Sequence, residues 1–194
     1  MSPPLATLTL VDAQNQPVSL DTLCRGHPTL FFCMRHLGCG ICRRELLRLR
    51  DHAADLAALN CTVIIVVIGD GLMVQALHRM HPLPFPVYGD PTARLYAAFD
   101  MGEGSLWTVA GPHVLLRQFR VLLTGIPSSL GMGSIRRLGG VVTLDRRGTI
   151  VYHHVANPIY SYPPWTEVLA ALAAPTRGAE EQTSRSEDAV PDQW

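Results

Sequence analysis

The sequence predicts an α/β fold with a mixed central sheet, helices on both faces and a small β-hairpin at the N-terminus. Three observations predict it. Thr62 to Ile68 is an unbroken run of mostly β-branched residues, the composition of a central strand covered by helices on both sides. In the first half, segments of helical periodicity follow the apolar runs, as in βαβ units. In the second half, Val141 to Leu144, the turn Asp145-Arg146-Arg147-Gly148 and Thr149 to His154 form the clearest hairpin in the chain.

Taken in order, Leu8 to Val11 and Val18 with Leu20 read as the N-terminal hairpin, joined through the polar turn Asp12 to Gln16. Thr29 to Met34 is a short apolar strand. Cys39 to about Leu59 is a helix with Leu46, Leu49, Leu56 and Leu59 along one face. After the Thr62 strand, Gly69-Asp70-Gly71 leads into a helix near Leu72 to Met80, and Pro82, Pro84 and Pro86 make a turn. Val87-Tyr88 is a brief strand, and Asp90-Pro91 caps a helix through Leu95 and Phe99 with proline at its first position.

Further on, Leu115, Leu116, Phe119, Leu122, Leu123 and Ile126 recur at helical spacing with Arg117, Gln118 and Arg120 opposite. This pattern predicts a helix packed on the core by its leucines. Ser128 to Gly140 is a loop, and a last helix lies near Pro164 to Ala173. The order βαβα followed by ββα is the topology of the thioredoxin fold, with a right-handed crossover expected in its first half. Residues 1–174 read as one domain. Over 175–194 the composition turns polar and periodicity disappears, which predicts a disordered tail.

At 194 residues the chain is long enough for one domain with a substantial core. A formal net charge of +0 removes the broad electrostatic argument for nucleic acid or an anionic membrane surface. The longest apolar run, Val63 to Ile68, is too short to span a bilayer, and no basic region leads into an apolar stretch at the N-terminus. The expected location is the cytoplasm, and the expected partners are a small-molecule oxidant or another protein, with a homodimer left open. No lysine occurs, which excludes a Schiff-base or Walker lysine. Five cysteines fit a reducing compartment, where a close Cys-x-x-Cys pair serves redox chemistry or metal binding rather than a structural staple.

That pair is Cys39 and Cys42, placed where an apolar strand turns through glycine into a helix. Unfilled N–H groups and the positive end of the helix dipole favour an anion there, so Cys39 is expected to have a depressed pKa. Arg35, His36, Arg43 and Arg44 supply nearby cations to support a thiolate. Cys42, nearly one turn on and more shielded, is the natural resolving thiol: Cys39 would attack a peroxide, and Cys42 would condense its sulfenic acid to a disulfide for an external thiol donor to reduce. The same pair could instead exchange directly with a protein disulfide. A metal site is the other chemical reading, since Cys33, His36, Cys39 and Cys42 fall at three-residue intervals, although Cys33 in its apolar run reads as a buried small hydrophobe. A purely structural pair is the third. Cys24, Cys61 and the scattered histidines read as packing or surface residues.

Phe32, Arg35, Gly38, Cys39, Cys42 and Arg43 form a pattern that resembles the peroxiredoxin-like 2 branch of the AhpC/TSA superfamily. Gly89-Asp90-Pro91-Thr92 with Leu95-Tyr96, and Leu138 to Asp145 with Gly148, resemble later landmarks of that family in the same order. The resemblance implies a thioredoxin fold and a thiol-dependent oxidoreductase, with some members similar to prostamide/prostaglandin F synthase, which reduces an endoperoxide. It implies Cys39 as attacking and Cys42 as resolving cysteine, no bound cofactor, and an external thiol or thioredoxin-type electron donor.

Two departures stand out. Phe32 and His36 occupy positions where ordinary peroxiredoxins carry proline and threonine, and Gly139-Gly140 stands where thioredoxins place a cis-proline. Both favour an organic peroxide, an endoperoxide or another small electrophile over hydrogen peroxide or a protein disulfide. Trp107, Phe119, Met132 and Gly139 are the expected pocket walls. A biosynthetic tailoring enzyme using thiol adducts or disulfide exchange is the alternative on the same fold.

Overall fold

The computed structural model describes residues 5–105, 111–125 and 136–174. Its strands are β1 (Thr9–Val11), β2 (Pro17–Ser19), β3 (Thr29–Cys33), β4 (Thr62–Val67), β5 (Val87–Gly89), β6 (Gly140–Leu144) and β7 (Ile150–Val155). They form one sheet in the order β2-β1-β5-β4-β3-β6-β7. β3, β4 and β5 run parallel, while β6 pairs antiparallel with both β3 and β7. The N-terminal hairpin joins the far edge through β1 against β5. This is the mixed thioredoxin-like sheet that the element order predicts.

The helices are α1 (Leu20–Cys24), α2 (Gly40–Asp51), α3 (Ala53–Ala58), α4 (Gly71–Met80), α5 (Arg94–Ala98), α6 (Pro112–Leu123) and α7 (Trp165–Ala173). Strand alternation sorts the core into two layers. Leu30, Phe32, Val63 and Ile65 pack with Leu46, Leu49, Val74 and Val168 on one face of the sheet. Phe31, Cys33, Ile64 and Val66 pack with Leu20, Leu95, Tyr96 and Phe99 on the other. Tyr96, fully buried, reaches the carbonyls of Met34 at 2.6 Å and Val66 at 3.0 Å, tying together the C-terminal ends of β3 and β4.

Three elements differ from expectation. The helix predicted over residues 39–59 breaks at His52, whose N–H closes a tighter turn on the Leu49 carbonyl at 3.1 Å, and α3 then carries the buried Leu56. Pro91 does not open α5. The helix starts at Arg94 after Ala93 in the left-handed region (φ 53°), and the Asp90 carboxylate accepts the N–H groups of Arg94 at 3.1 Å and Leu95 at 2.9 Å.

α6 departs from the predicted core-packed helix. Val114 and Val121 are its buried residues, and the Arg117 guanidinium lies 4.9 Å over the ring of Tyr160. Leu115, Leu116, Phe119, Leu122 and Leu123 face solvent, as do Arg117 and Arg120, and the helix is seated by the narrow line of Val114 and Val121 with Gln118 half-buried between them. Trp107, Met132, Ile126 and the 175–194 tail lie outside the described residues. No helix among the described residues is long and apolar enough to cross a membrane.

Candidate active site

β3 ends at Cys33, but the chain stays tied to the sheet for one more residue through the Met34 N–H on the Val66 carbonyl at 2.9 Å. Arg35 to Gly38 then leave the sheet, and a turn closed by the Cys39 N–H on the His36 carbonyl (3.2 Å) delivers the chain to α2. Cys39 is the N-cap of α2. Its backbone is extended, and its sulfur accepts the N–H of Cys42 at 3.3 Å, taking the place that a serine or aspartate oxygen fills in most helices. The two sulfurs stand 2.8 Å apart, both thiols are free, and neither is exposed.

Around the pair the structure gathers Arg35, His36, Tyr162 and Gly139. The Tyr162 hydroxyl donates to Cys42 Sγ at 3.7 Å, and its ring stacks on Phe32 at 5.7 Å between centroids. Tyr162 also lines a hollow of about 470 Å³ together with Arg48, His52, Pro164 and Trp165. Gly139 passes so close to the end of β3 that an added Cβ would strike the Cys33 carbonyl, and it would lie 3.2 Å from the Arg35 nitrogen and 3.4 Å from the Tyr162 hydroxyl. Only a residue without a side chain fits there.

The electrostatics belong to the pair. Burial opposes ionisation of Cys42, but the hydrogen bond with Cys39, the Arg35 charge and backbone N–H, and the Tyr162 hydroxyl bring its thiol down to about 7. Cys39 moves the other way, raised first by that same hydrogen bond and then by burial. One proton is held between two sulfurs, and the pair titrates as a unit. The helix-start argument assigns the depressed value to Cys39. In the structure the lowered thiol is Cys42, first through its hydrogen bond with Cys39, then through the Arg35 charge and backbone N–H, with the Tyr162 hydroxyl adding to them.

Of the expected supporting residues, Arg35 is the one whose charge reaches both thiols. Arg43 donates through Nε to His81 on the residue following α4 at 2.9 Å, and Arg44 pairs with Glu45 at 2.9 Å. His36 is not a cation: burial, reinforced by the Arg35 charge, lowers it to about 4. The four-ligand metal set does not assemble, since Cys33 packs on the sheet face opposite the dithiol. Phe119 lies 57% exposed on α6.

Tyr162 is the residue sequence reasoning missed. Its one signal is the aromatic and proline run Tyr160-Ser161-Tyr162-Pro163-Pro164-Trp165 ahead of the last helix. The two departures from the peroxiredoxin pattern also acquire roles, Phe32 as the platform for Tyr162 and His36 as the acceptor for an Arg35 N–H.

A dithiol sharing one proton at a helix start, on a thioredoxin-like sheet, defines a thiol-dependent oxidoreductase of the peroxiredoxin type. The chain belongs to the AhpC/TSA family, whose sequence model matches residues 3–126. In three dimensions it is similar to Xanthomonas campestris peroxiredoxin Q, with a TM-score of 0.63 and 15% identity over 87% of this chain and 90% of that one. It is similar to peroxidoxin BcpB of Mycobacterium tuberculosis (TM-score 0.60, 14% identity, 85% and 90% covered). A secreted Mycobacterium tuberculosis disulfide oxidoreductase homologous to DsbE of E. coli is also similar (TM-score 0.54, 15% identity, 88% and 97% covered). At these identities the likeness is one of fold. Among curated proteins none matches the sequence.

Proposed function

We propose that the protein reduces the O–O bond of an organic peroxide or endoperoxide, with Cys39 attacking and Cys42 resolving, as a member of the peroxiredoxin-like 2 branch. The observation that carries this reading is the pair of free sulfurs 2.8 Å apart at the start of α2. Moving the shared proton onto Cys42 leaves a thiolate on Cys39, held by the Cys42 N–H and the helix N-terminus. That sulfur forms a bond to one peroxide oxygen as the O–O bond breaks. The departing alkoxide takes a proton, and a sulfenic acid remains on Cys39.

Cys42, as thiolate, then attacks Cys39 Sγ. The S–S bond forms, and the hydroxyl leaves as water. With an endoperoxide the first step leaves a sulfenate ester, and disulfide closure releases the second alkoxide. In both cases two thiols are oxidised and one O–O bond is reduced. An external dithiol of the thioredoxin type restores the pair, in keeping with a cytoplasmic setting that maintains free thiols. Phe32 and His36, in place of the proline and threonine of ordinary peroxiredoxins, favour an organic substrate, and Gly139 is the expected pocket wall whose neighbours belong to the site.

Mass spectrometry after peroxide addition tests the roles. Cys39→Ser should abolish turnover, while Cys42→Ser should allow one turnover and accumulate a sulfenic acid or mixed disulfide on Cys39. Full activity in Cys39→Ser would refute the assignment.

A further inference from the structure

Arg35 is 2% exposed and carries a full charge, yet its side chain makes one hydrogen bond, from Nη2 to His36 Nε2 at 3.0 Å. Its Nε and Nη1 are buried without a partner. No carboxylate among the described residues pairs with it. Its charge acts on the sulfurs through space and its backbone N–H reaches Cys42, but none of its guanidinium N–H groups is bonded to them, so the thiolate does not use these side-chain donors. A guanidinium can only donate, so His36 Nε2 accepts and the proton of the neutral ring sits on Nδ1. Nδ1 is likewise buried and unpartnered. Three donors with no acceptor thus lie in the turn that leads to the N-terminus of α2, itself the positive end of a twelve-residue helix.

Buried donors left open are costly and native proteins contain few of them, so a cluster of three beside a reactive dithiol marks the place of an absent acceptor. We propose that Arg35 Nε, Arg35 Nη1 and His36 Nδ1 form an oxyanion subsite that binds a carboxylate carried by the substrate, making the protein selective for acidic organic peroxides. This deepens the proposed function and rests on it. The carboxylate supplies the acceptors that the three donors lack and neutralises the Arg35 charge, and its seat beside the sulfurs brings the O–O bond of the same molecule to Cys39. The subsite is separate in role from thiolate support: it is filled by the bound substrate before any bond breaks.

The test compares para-carboxycumene hydroperoxide with its primary carboxamide at neutral pH, reading thiol oxidation by stopped flow. The two compounds differ in one charged group remote from the O–O bond. The wild-type protein should oxidise about tenfold or more faster at low concentration with the acid, the effect of one charge-assisted contact. In Arg35→Met the acid/amide ratio should fall toward one, with Arg35→Lys intermediate and folding of both checked by circular dichroism. The ratio cancels any general change in thiol reactivity.

Equal rates for the two peroxides in the wild type, or an unchanged ratio in Arg35→Met, would overturn the subsite while leaving peroxide reduction in place. If neither peroxide oxidises the thiols, the proposed function fails instead. The subsite is then judged by calorimetry with para-isopropylbenzoate: binding that Arg35→Met abolishes supports it, and absence of binding overturns it.

Discussion

Replacing Tyr162 with phenylalanine removes one atom from the site and little else. The ring stacks on Phe32 at 5.7 Å and phenylalanine retains that packing, whereas the hydroxyl that donates to Cys42 Sγ at 3.7 Å is lost. The hydroxyl stabilises the anion, so its removal raises the ionisation of the pair from about 7. A bond to a charged group contributes roughly 1.5–3 kcal/mol at ideal geometry. At this longer sulfur contact roughly 1.4 kcal/mol is expected, which is about one pKa unit.

The thiolate fraction at neutral pH then drops from about one half to about one tenth, and alkylation by iodoacetamide slows about fivefold. Above pH 9 the variant should regain wild-type rates. The rate of alkylation measured across pH gives the apparent pKa of both proteins directly. A Tyr162→Phe profile that superimposes on the wild type would show that the hydroxyl does not hold the anion, and the electrostatic account of the pair would fall with it.

Other perturbations bear on the scaffold. Gly139→Ala should lower stability by roughly 1–3 kcal/mol, read as a reduced Tm, because its Cβ meets the Cys33 carbonyl and the Arg35 nitrogen, both backbone atoms that cannot swing aside. Tyr96→Phe leaves the Met34 and Val66 carbonyls without the hydroxyl and should cost about 1–2 kcal/mol in urea denaturation. His36, lowered from 6.5 to about 4, is neutral in the folded protein while its unfolded counterpart takes a proton below pH 6.5. Its contribution is therefore complete above 6.5 and is lost as pH falls toward 4. In the His36→Asn variant, urea unfolding across that window should lose this part of the slope.

The segments that sequence made legible are those whose pattern has one physical solution. A β-branched run as long as Thr62–Val67 must be buried on both faces, and the glycine turn between β3 and α2 sets Cys39 at a helix start. The hairpin of β6 and β7 was equally plain, since Asp145 can close its own turn by accepting from Arg147 at 2.8 Å and Thr149 at 2.9 Å. α6 shows the limit. Its periodicity correctly predicts a helix, but an amphipathic pattern does not say which side the rest of the molecule will cover, and here Val114 and Val121 are buried while the leucines face solvent.

The site divides in the same way. Cys39, Cys42 and Arg35 are close in sequence and were found by spacing, whereas Tyr162 reaches Cys42 across 120 residues and has no local motif. Local dipole arguments favour Cys39 for the low pKa, but they leave out the bond between the two sulfurs, which acts on Cys42 first, and the Tyr162 hydroxyl that joins it from the far end of the chain.

The separation of 2.8 Å between the sulfurs also bears on how long such a catalyst lasts. A sulfenic acid on Cys39 would be met by its neighbour within the same helical turn, with no unwinding of α2, before a second oxidant molecule could enter a site from which solvent is excluded. Irreversible progress to sulfinic and sulfonic acids depends on that second encounter. Repeated exposure to excess peroxide is therefore expected to leave the protein reducible by dithiothreitol, and the supply of reductant, rather than chemical wear, would set its working life.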